Sequence, residues 1–319
     1  MSCHDITKTC YGSTHNNPEE IRMSGNNVEC FRPGDISIRA HRPGEERVML
    51  EMWTRQGGDV SRYDYNAFMA IDPNNLLVAV DSVGEILGFG GVYHHDADTV
   101  YVAHFIVRED LRKKGIGKQI WQAMMTRCGE KNIALDGAKA MVEFYRKQGF
   151  VYSTTRVILY LFVIPETIEV QIPPDIDMRP LEEDMWPELL EYDKQVYVNF
   201  DRARVLRAWY SLDDVTVMVA FQGERIVGYG GIHRKTDTTF GVRNVLADDE
   251  HVAELITRIL LQDVPKDSTV YAWMVEGKPI PDFLLRNAQR SQRHCERMYN
   301  KRCIDVNREK IWIASAQIL

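Results

Sequence analysis

The sequence predicts an α/β protein built from two tandem copies of one unit, and three observations carry that prediction. Short apolar strands alternate with amphipathic helical segments from residue 35 onward. Two stretches recur at one constant offset: Asp35-Ile-Ser-Ile-Arg39 lines up with Asp175-Ile-Asp-Met-Arg179, and Gly88-Phe-Gly-Gly-Val92 with Gly228-Tyr-Gly-Gly-Ile232, each displaced by 140 residues in a chain of 319. A basic, glycine-containing loop joins a strand to a helix in the first copy and is not repeated in the second.

Taken in order, residues 1–33 are polar, Asn-rich and poor in aliphatics, which predicts a flexible N-terminal extension. A strand follows at Ile36–Arg39, then a helical segment over Glu45–Thr54 and strands at Leu76–Val80 and Ile86–Tyr93, joined by the turn Asp81-Ser82-Val83-Gly84. A third strand spans Thr99–Val107. Ile116, Ile120, Ala123, Met124 and Cys128 then recur at helical spacing. Ile133-Ala134-Leu135 reads as a short buried strand, Asp136 as the cap of a helix running to Lys147, and Gly149 as its left-handed stop. The apolar run 157–164 is expected to complete the first sheet. Prolines punctuate 165–174, so the expected division is a first domain over 34–164, a linker over 165–174 and a second domain over 175–319.

Composition narrows the function classes. Hydrophobic residues are 45% and charged residues 27%, as in an ordinary globular protein rather than a disordered or fibrous one. With 39 Lys and Arg against 46 Asp and Glu the net charge is −7, so no overall basic field exists to attract a phosphate backbone, and nucleic acid is not an expected partner. The longest apolar run, Val157–Pro165, falls short of the roughly 18 residues a membrane helix needs. The first residues lack a basic start followed by an apolar run, which favours a cytoplasmic location and leaves a nuclear one open. The cysteines at 3, 10, 30, 128, 295 and 303 form no CxxC pair, and Cys3, His4, Cys10 and His15 match no zinc spacing, so no metal is expected. The oligomeric state is left open.

The informative stretch runs from Phe105, Ile106 and Val107 at the end of a strand, through Glu109 and Asp110, to Arg112, Lys113, Lys114, Gly115, Ile116, Gly117 and Lys118 at the start of a helix. Gly115 and Gly117 permit positive φ and close approach by a ligand, and the free N–H groups of the helix start present the positive end of its dipole. Arg112, Lys113, Lys114 and Lys118 add four cations within seven residues, which suits a compact polyanion such as a pyrophosphate. A Walker loop would need Gly at 112 and Ser or Thr at 119, where Arg112 and Gln119 stand. A dinucleotide fingerprint would need Gly at 120, where Ile120 stands.

Arg112-x-x-Gly115-x-Gly117 after a strand, the amphipathic helix behind it, and Phe144-Tyr145-Arg-Lys-Gln-Gly149-Phe150 further on together resemble the GNAT acyltransferase superfamily over roughly 35–163. The resemblance implies a mixed-sheet α/β fold and acetyl-CoA as donor. It places the donor's pyrophosphate on Arg112–Lys118, its pantetheine arm along Phe105–Val107, and a tyrosine, Tyr145, near the thioester sulfur. The second half resembles a two-domain branch in which a degenerate GNAT-like copy follows the active one. Its Arg297-Met298-Tyr299 and the closing stretch Trp312–Ala316 are similar to the end of that branch. Where the second copy would carry the loop it reads Leu246-Ala-Asp248-Asp249-Glu250, acids that suit the first turn of a helix and would repel phosphate. This copy is expected to bind no CoA and to shape the acceptor site.

The implied reaction is direct attack of an amine on the thioester, with a phenol such as Tyr145 steadying the thiolate. Candidate bases are His104 and Glu109, with Asp110 and the pair His94 and His95 as further options. A small-molecule acceptor is expected because a second copy follows the first; a non-catalytic acyl-CoA-binding regulator and a protein N-acetyltransferase are the alternatives. Ala138 stands where the superfamily often has an asparagine, seven residues before Tyr145.

Overall fold

The structure, a computed structural model, describes residues 20–24, 27–31, 35–56, 62–164, 167–198, 200–286 and 288–315. Cys3, His4, Cys10 and His15 lie outside these residues. Within the expected extension, β1 (Glu20–Ser24) and β2 (Asn27–Phe31) form an antiparallel hairpin.

The chain divides into two compact units, 1–135 and 136–319. The division comes earlier than the proline-punctuated segment at 165–174, and the reason is strand pairing. The apolar strand β8 (Tyr152–Val163) bonds on one edge to β14 (Thr269–Val275) and on the other to β15 (Ala288–Tyr299), so it completes the sheet of the second unit.

Unit 1 comprises β3 (Ser37–Ala40), α1 (Glu46–Arg55), α2 (Arg62–Ile71), β4 (Leu76–Val80), β5 (Ile86–His94), β6 (Thr99–Val107), a 3-10 turn at 109–111, α3 (Ile116–Cys128) and the first residues of β7 (Asn132–Ala138). Strands β3, β4, β5 and β6 are antiparallel in that order. Strand β7 runs parallel to β6, paired only at Thr99–Tyr101 with Asn132–Ala134. Helix α3 buries Ile116, Ile120, Trp121, Met124 and Cys128, the stripe its sequence spacing predicts. It lies close on β5 because Gly88 carries no side chain: a Cβ there would sit 2.9 Å from Ile120 Cδ1 and 2.6 Å from the Ile106 carbonyl. Helix α2 was not expected from sequence. Its buried residues Asp64, Ala67, Phe68 and Ile71 have helical spacing, but a carboxylate at the first position hides the stripe.

Unit 2 opens with the end of β7. Asp136 lies in that strand, not at a helix start, and accepts hydrogen bonds from Arg297 Nε and Nη2 at 2.5 and 2.9 Å. This corrects the expected cap. The helix that follows, α4 (Val142–Lys147), starts six residues later and ends before Gly149, whose φ is +93° as expected. Then come β9 (Asp177–Pro180), α5 (Trp186–Val196), β10 (Tyr197–Val198), α6 (Ala203–Tyr210), β11 (Val215–Gln222), β12 (Arg225–Thr236), β13 (Thr239–Ala247), α7 (Glu250–Leu261), α8 (Asp282–Leu285), β16 (Asp305–Val306) and β17 (Ile311–Ala314). Strands β9, β11, β12 and β13 are antiparallel, and β13 is parallel to β14 over Thr239–Val242 and Thr269–Ala272. The core of this unit gathers Val252, Leu255, Ile256 and Leu260 of α7 with Val245, Ala272, Phe162 and Ile313.

Candidate functional site

Strand β6 changes character halfway along. Its parallel partner stops at the Tyr101–Ala134 pair, while β6 continues to Val107. On its other side the register with β5 jumps from Gly91↔Ala103 to Phe89↔Ile106, which places one extra residue on β6. His104 in this bulge has φ +60°. Its ring centroid lies 3.7 Å from that of Trp53, 4.7 Å from Phe68 and 5.4 Å from Tyr93, among side chains of α1, α2 and β5. Phe105 points to the other layer, with its ring 5.7 Å from Trp121 of α3.

The end of the strand exposes an edge. Arg108 N–H donates to the Leu87 carbonyl at 2.9 Å, so Val107 and Gly88 face each other as a non-hydrogen-bonded pair. The N–H and C=O of Val107 therefore point to the edge from which β7 has diverged. Ile106, by the same alternation, is turned into the ladder with β5, and its side chain is buried.

The loop beyond is sorted by charge. Arg108 Nε and Nη2 donate to Asp110 at 2.8 and 3.0 Å, and its Nη1 reaches Glu85. Burial acts to raise the Asp110 carboxyl, but the hydrogen bonding and positive charge of Arg108, helped by a backbone hydrogen bond and the Lys114 charge, together outweigh it and hold the group below the ordinary carboxylate range. Asp110 is thus committed to an ion pair. Among the described residues, Arg112, Lys113 and Lys118 make no ion pair with a carboxylate, and the exposed Glu109 side chain has no partner. Lys113 has φ +67° and Gly115 φ +80°; the latter is the N-cap of α3 and supplies no side chain to bond the helix start. The N–H groups of Ile116, Gly117 and Lys118 precede the first helical bond, Gln119 N–H to the Gly115 carbonyl at 3.2 Å. Gly117 lets this helix start sit against β6: a Cβ there would lie 3.3 Å from Phe105 Cζ and 3.4 Å from Val107 Cγ2. Ile116 is buried, so its side chain is core and only its backbone faces the loop.

Of the residues picked from sequence, His104 to Lys118 form one continuous strand–loop–helix junction in unit 1. Tyr145 lies on α4 in unit 2, half-buried, with ring centroids 5.1 Å from Phe144 and 6.1 Å from Phe150. Two neighbours of the junction escaped the sequence reading: Trp53, and Gln56 at the end of α1, whose Nε2 donates to the Val107 carbonyl at 3.2 Å. Only their place in the last turn of an amphipathic helix hinted at them. Among the described residues no three or more His, Cys, Asp or Glu side chains gather as a metal would require, and no helix is long and apolar enough to cross a membrane.

The second unit repeats the junction with a shorter connection and a filled gap. Asn244, 140 residues after His104, is the extra residue of β13 where its register with β12 jumps, with φ +42°. A Cβ on Gly228 would sit the same 2.9 Å from Ile256 Cδ1. Yet only Asp248 and Asp249 separate β13 from α7, and Asp249 caps that helix, accepting from Val252 N–H at 2.9 Å. Where β13 and β14 diverge, β17 fills the gap, pairing Val245 with Ile313 on one side and Trp273 with Ala314 on the other.

Comparison with known proteins places both copies. Two family models, each described as an acetyltransferase (GNAT) domain, match residues 53–158 and 189–312. The first match crosses the 135/136 division, so residues 136–158 belong by sequence to the first copy and by packing to the second unit. The chain is 23% identical over 227 residues to holothin acyltransferase of Pseudoalteromonas sp. (strain SANK 73390), covering 70% of this chain and 72% of that one. Among solved structures it is similar to a Pyrococcus horikoshii protein named as a candidate acetyltransferase, at TM-score 0.71 and 18% identity, covering 92% of this chain and 99% of that one. It is also similar to the tandem GNAT protein from the clavulanic acid biosynthesis pathway, at TM-score 0.56 and 11% identity, covering 83% and 97%.

Proposed function

Since the chain belongs to the GNAT acetyltransferase superfamily, as a tandem two-domain member, we propose that it transfers an acetyl group from acetyl-CoA to an amine, with the donor held by unit 1. The observation that carries this reading is the junction at β6 and α3, where an uncapped helix start, Arg112, Lys113 and Lys118 without carboxylate partners, and an unpaired strand edge converge. These groups suit a pyrophosphate followed by an extended amide-bearing arm. The N–H groups of residues 116–118 and the three cations bind the phosphates. The Val107 N–H donates to the arm. Acetyl-CoA itself supplies a thioester carbonyl open to nucleophilic attack.

For the protons, Tyr145 is the proposed donor to the departing sulfur, on the strength of the Tyr-x-x-x-Gly-Phe pattern. Asp110 is excluded as base by its commitment to Arg108, which leaves His104 at the bulge and Glu109 at the turn. A small amine is the proposed acceptor. The relative named for acylating holothin supports acyl transfer as the chemistry.

The test is calorimetric titration of acetyl-CoA into the full chain, followed by thiol release against a panel of amines. Saturable binding with amine-dependent thiol release is expected. Binding without release by any amine would favour the regulator, and no binding would end the donor assignment.

A further inference from the structure

We infer that Gln56 is a positioning residue for the acyl-CoA donor, acting through the carbonyl of Val107; this rests on the proposal above that unit 1 holds that donor. The Val107 carbonyl points to the open edge of β6, where a backbone acceptor without a strand partner must be satisfied by other donors. Two side chains supply them: Gln56 Nε2 at 3.2 Å and Arg112 Nε at 3.4 Å. One oxygen thus ties together the end of α1, the end of β6 and the loop before α3.

The tie has consequences for the ligand. With its carbonyl engaged, Val107 presents its N–H to the edge as a donor only. With Nε anchored to the strand, Arg112 keeps its outer guanidinium nitrogens, the fork that recognises phosphate, clear of the backbone. A neutral amide is the side chain the position needs. Glutamate would repel the Val107 carbonyl and offer Arg112 a carboxylate in competition with the ligand's phosphates. Gln56 is itself half-buried at a helix end, so replacing it opens no core cavity.

The experiment measures CoA binding by calorimetry, thermal midpoints, and kcat at saturating acetyl-CoA for the full chain carrying Gln56→Ala, Gln56→Glu, Arg112→Ala or Gln56→Ala with Arg112→Ala. Gln56→Ala is expected to weaken CoA binding about fivefold with kcat and midpoint unchanged, and Gln56→Glu to weaken it further. The double variant is expected to bind no more weakly than Arg112→Ala alone, because Gln56 works through Arg112's placement. Wild type binding CoA while both Gln56 variants bind equally well would overturn this inference and leave the donor assignment standing. A lower midpoint and kcat with additive losses would also overturn it, showing a merely structural contact. Wild type failing to bind CoA would overturn both.

Discussion

The two strand-to-helix junctions, β6 to α3 and β13 to α7, start from the same frame and end in opposite states. Both have a bulged strand with a left-handed residue, His104 or Asn244, and both press a glycine of the neighbouring strand against an isoleucine of the following helix. In the first, eight residues separate strand from helix and leave the helix start uncapped; in the second, two do, and an aspartate caps it. In the first, β7 diverges from β6, and among the described residues no strand pairs with the end of β6 on that side; in the second, β17 is hydrogen-bonded into the gap. The same frame therefore closes in two ways, and in the second the chain itself satisfies the backbone groups of the junction, as nearly all buried N–H and C=O groups must be satisfied. The unsatisfied junction is the one to expect at work.

Five experiments break or sharpen that contrast. Gly115→Glu sets a carboxylate at the helix start of unit 1 and should weaken acetyl-CoA binding by about 10³-fold, as like charges brought together cost several kcal/mol. Gly115→Asn, which also accepts a left-handed φ, is the control for backbone strain; equal losses in both would assign the effect to strain. Tyr145→Phe should lower kcat by about 10²-fold with acetyl-CoA affinity unchanged, and an unchanged kcat would reduce Tyr145 to packing.

Stoichiometry tests the second junction directly. One acetyl-CoA per chain is expected, and two would refute the idea that β17 and Asp249 close it. Asp249→Ala should cost about 1 kcal/mol of stability through the lost cap, read in the denaturation midpoint, without altering that stoichiometry. The smallest effect is chemical. Burial pushes the Cys128 thiol of α3 up to about 12, so at pH 8 it is almost wholly protonated and should resist alkylation while unit 1 stays folded. Bound acetyl-CoA should slow its labelling further, because a ligand stabilises the unit that binds it, and leave Cys303 unaffected, because that exposed thiol labels without any opening. Equal slowing at both sites would show that the ligand acts on the reagent and not on the fold of unit 1.

Much of the first junction was legible in the chain because its signals are local. The Gly115 φ, the spacing of Ile116, Ile120 and Met124, and the run of cations depend on neighbours in sequence. The same holds for Asp249 and Glu250, which cap and begin a helix, whereas Asp248 lies outside it and bonds Tyr192, Arg225 and Lys310. Helix α2 is hidden because buried Asp64 interrupts its apolar stripe, and Asp136 reads as a cap because its partner Arg297 is 161 residues away.

By itself the sequence determined the α/β class, the tandem repeat and the loop that distinguishes the copies, since periodicity, glycine geometry and charge act within a few residues. The tertiary structure alone decided that β8 joins the second unit, that β17 fills that unit's gap, and that Gln56 and Arg112 meet on one carbonyl. Each of those outcomes depends on which backbone edge lacks a partner, and an edge exists only once distant strands have paired.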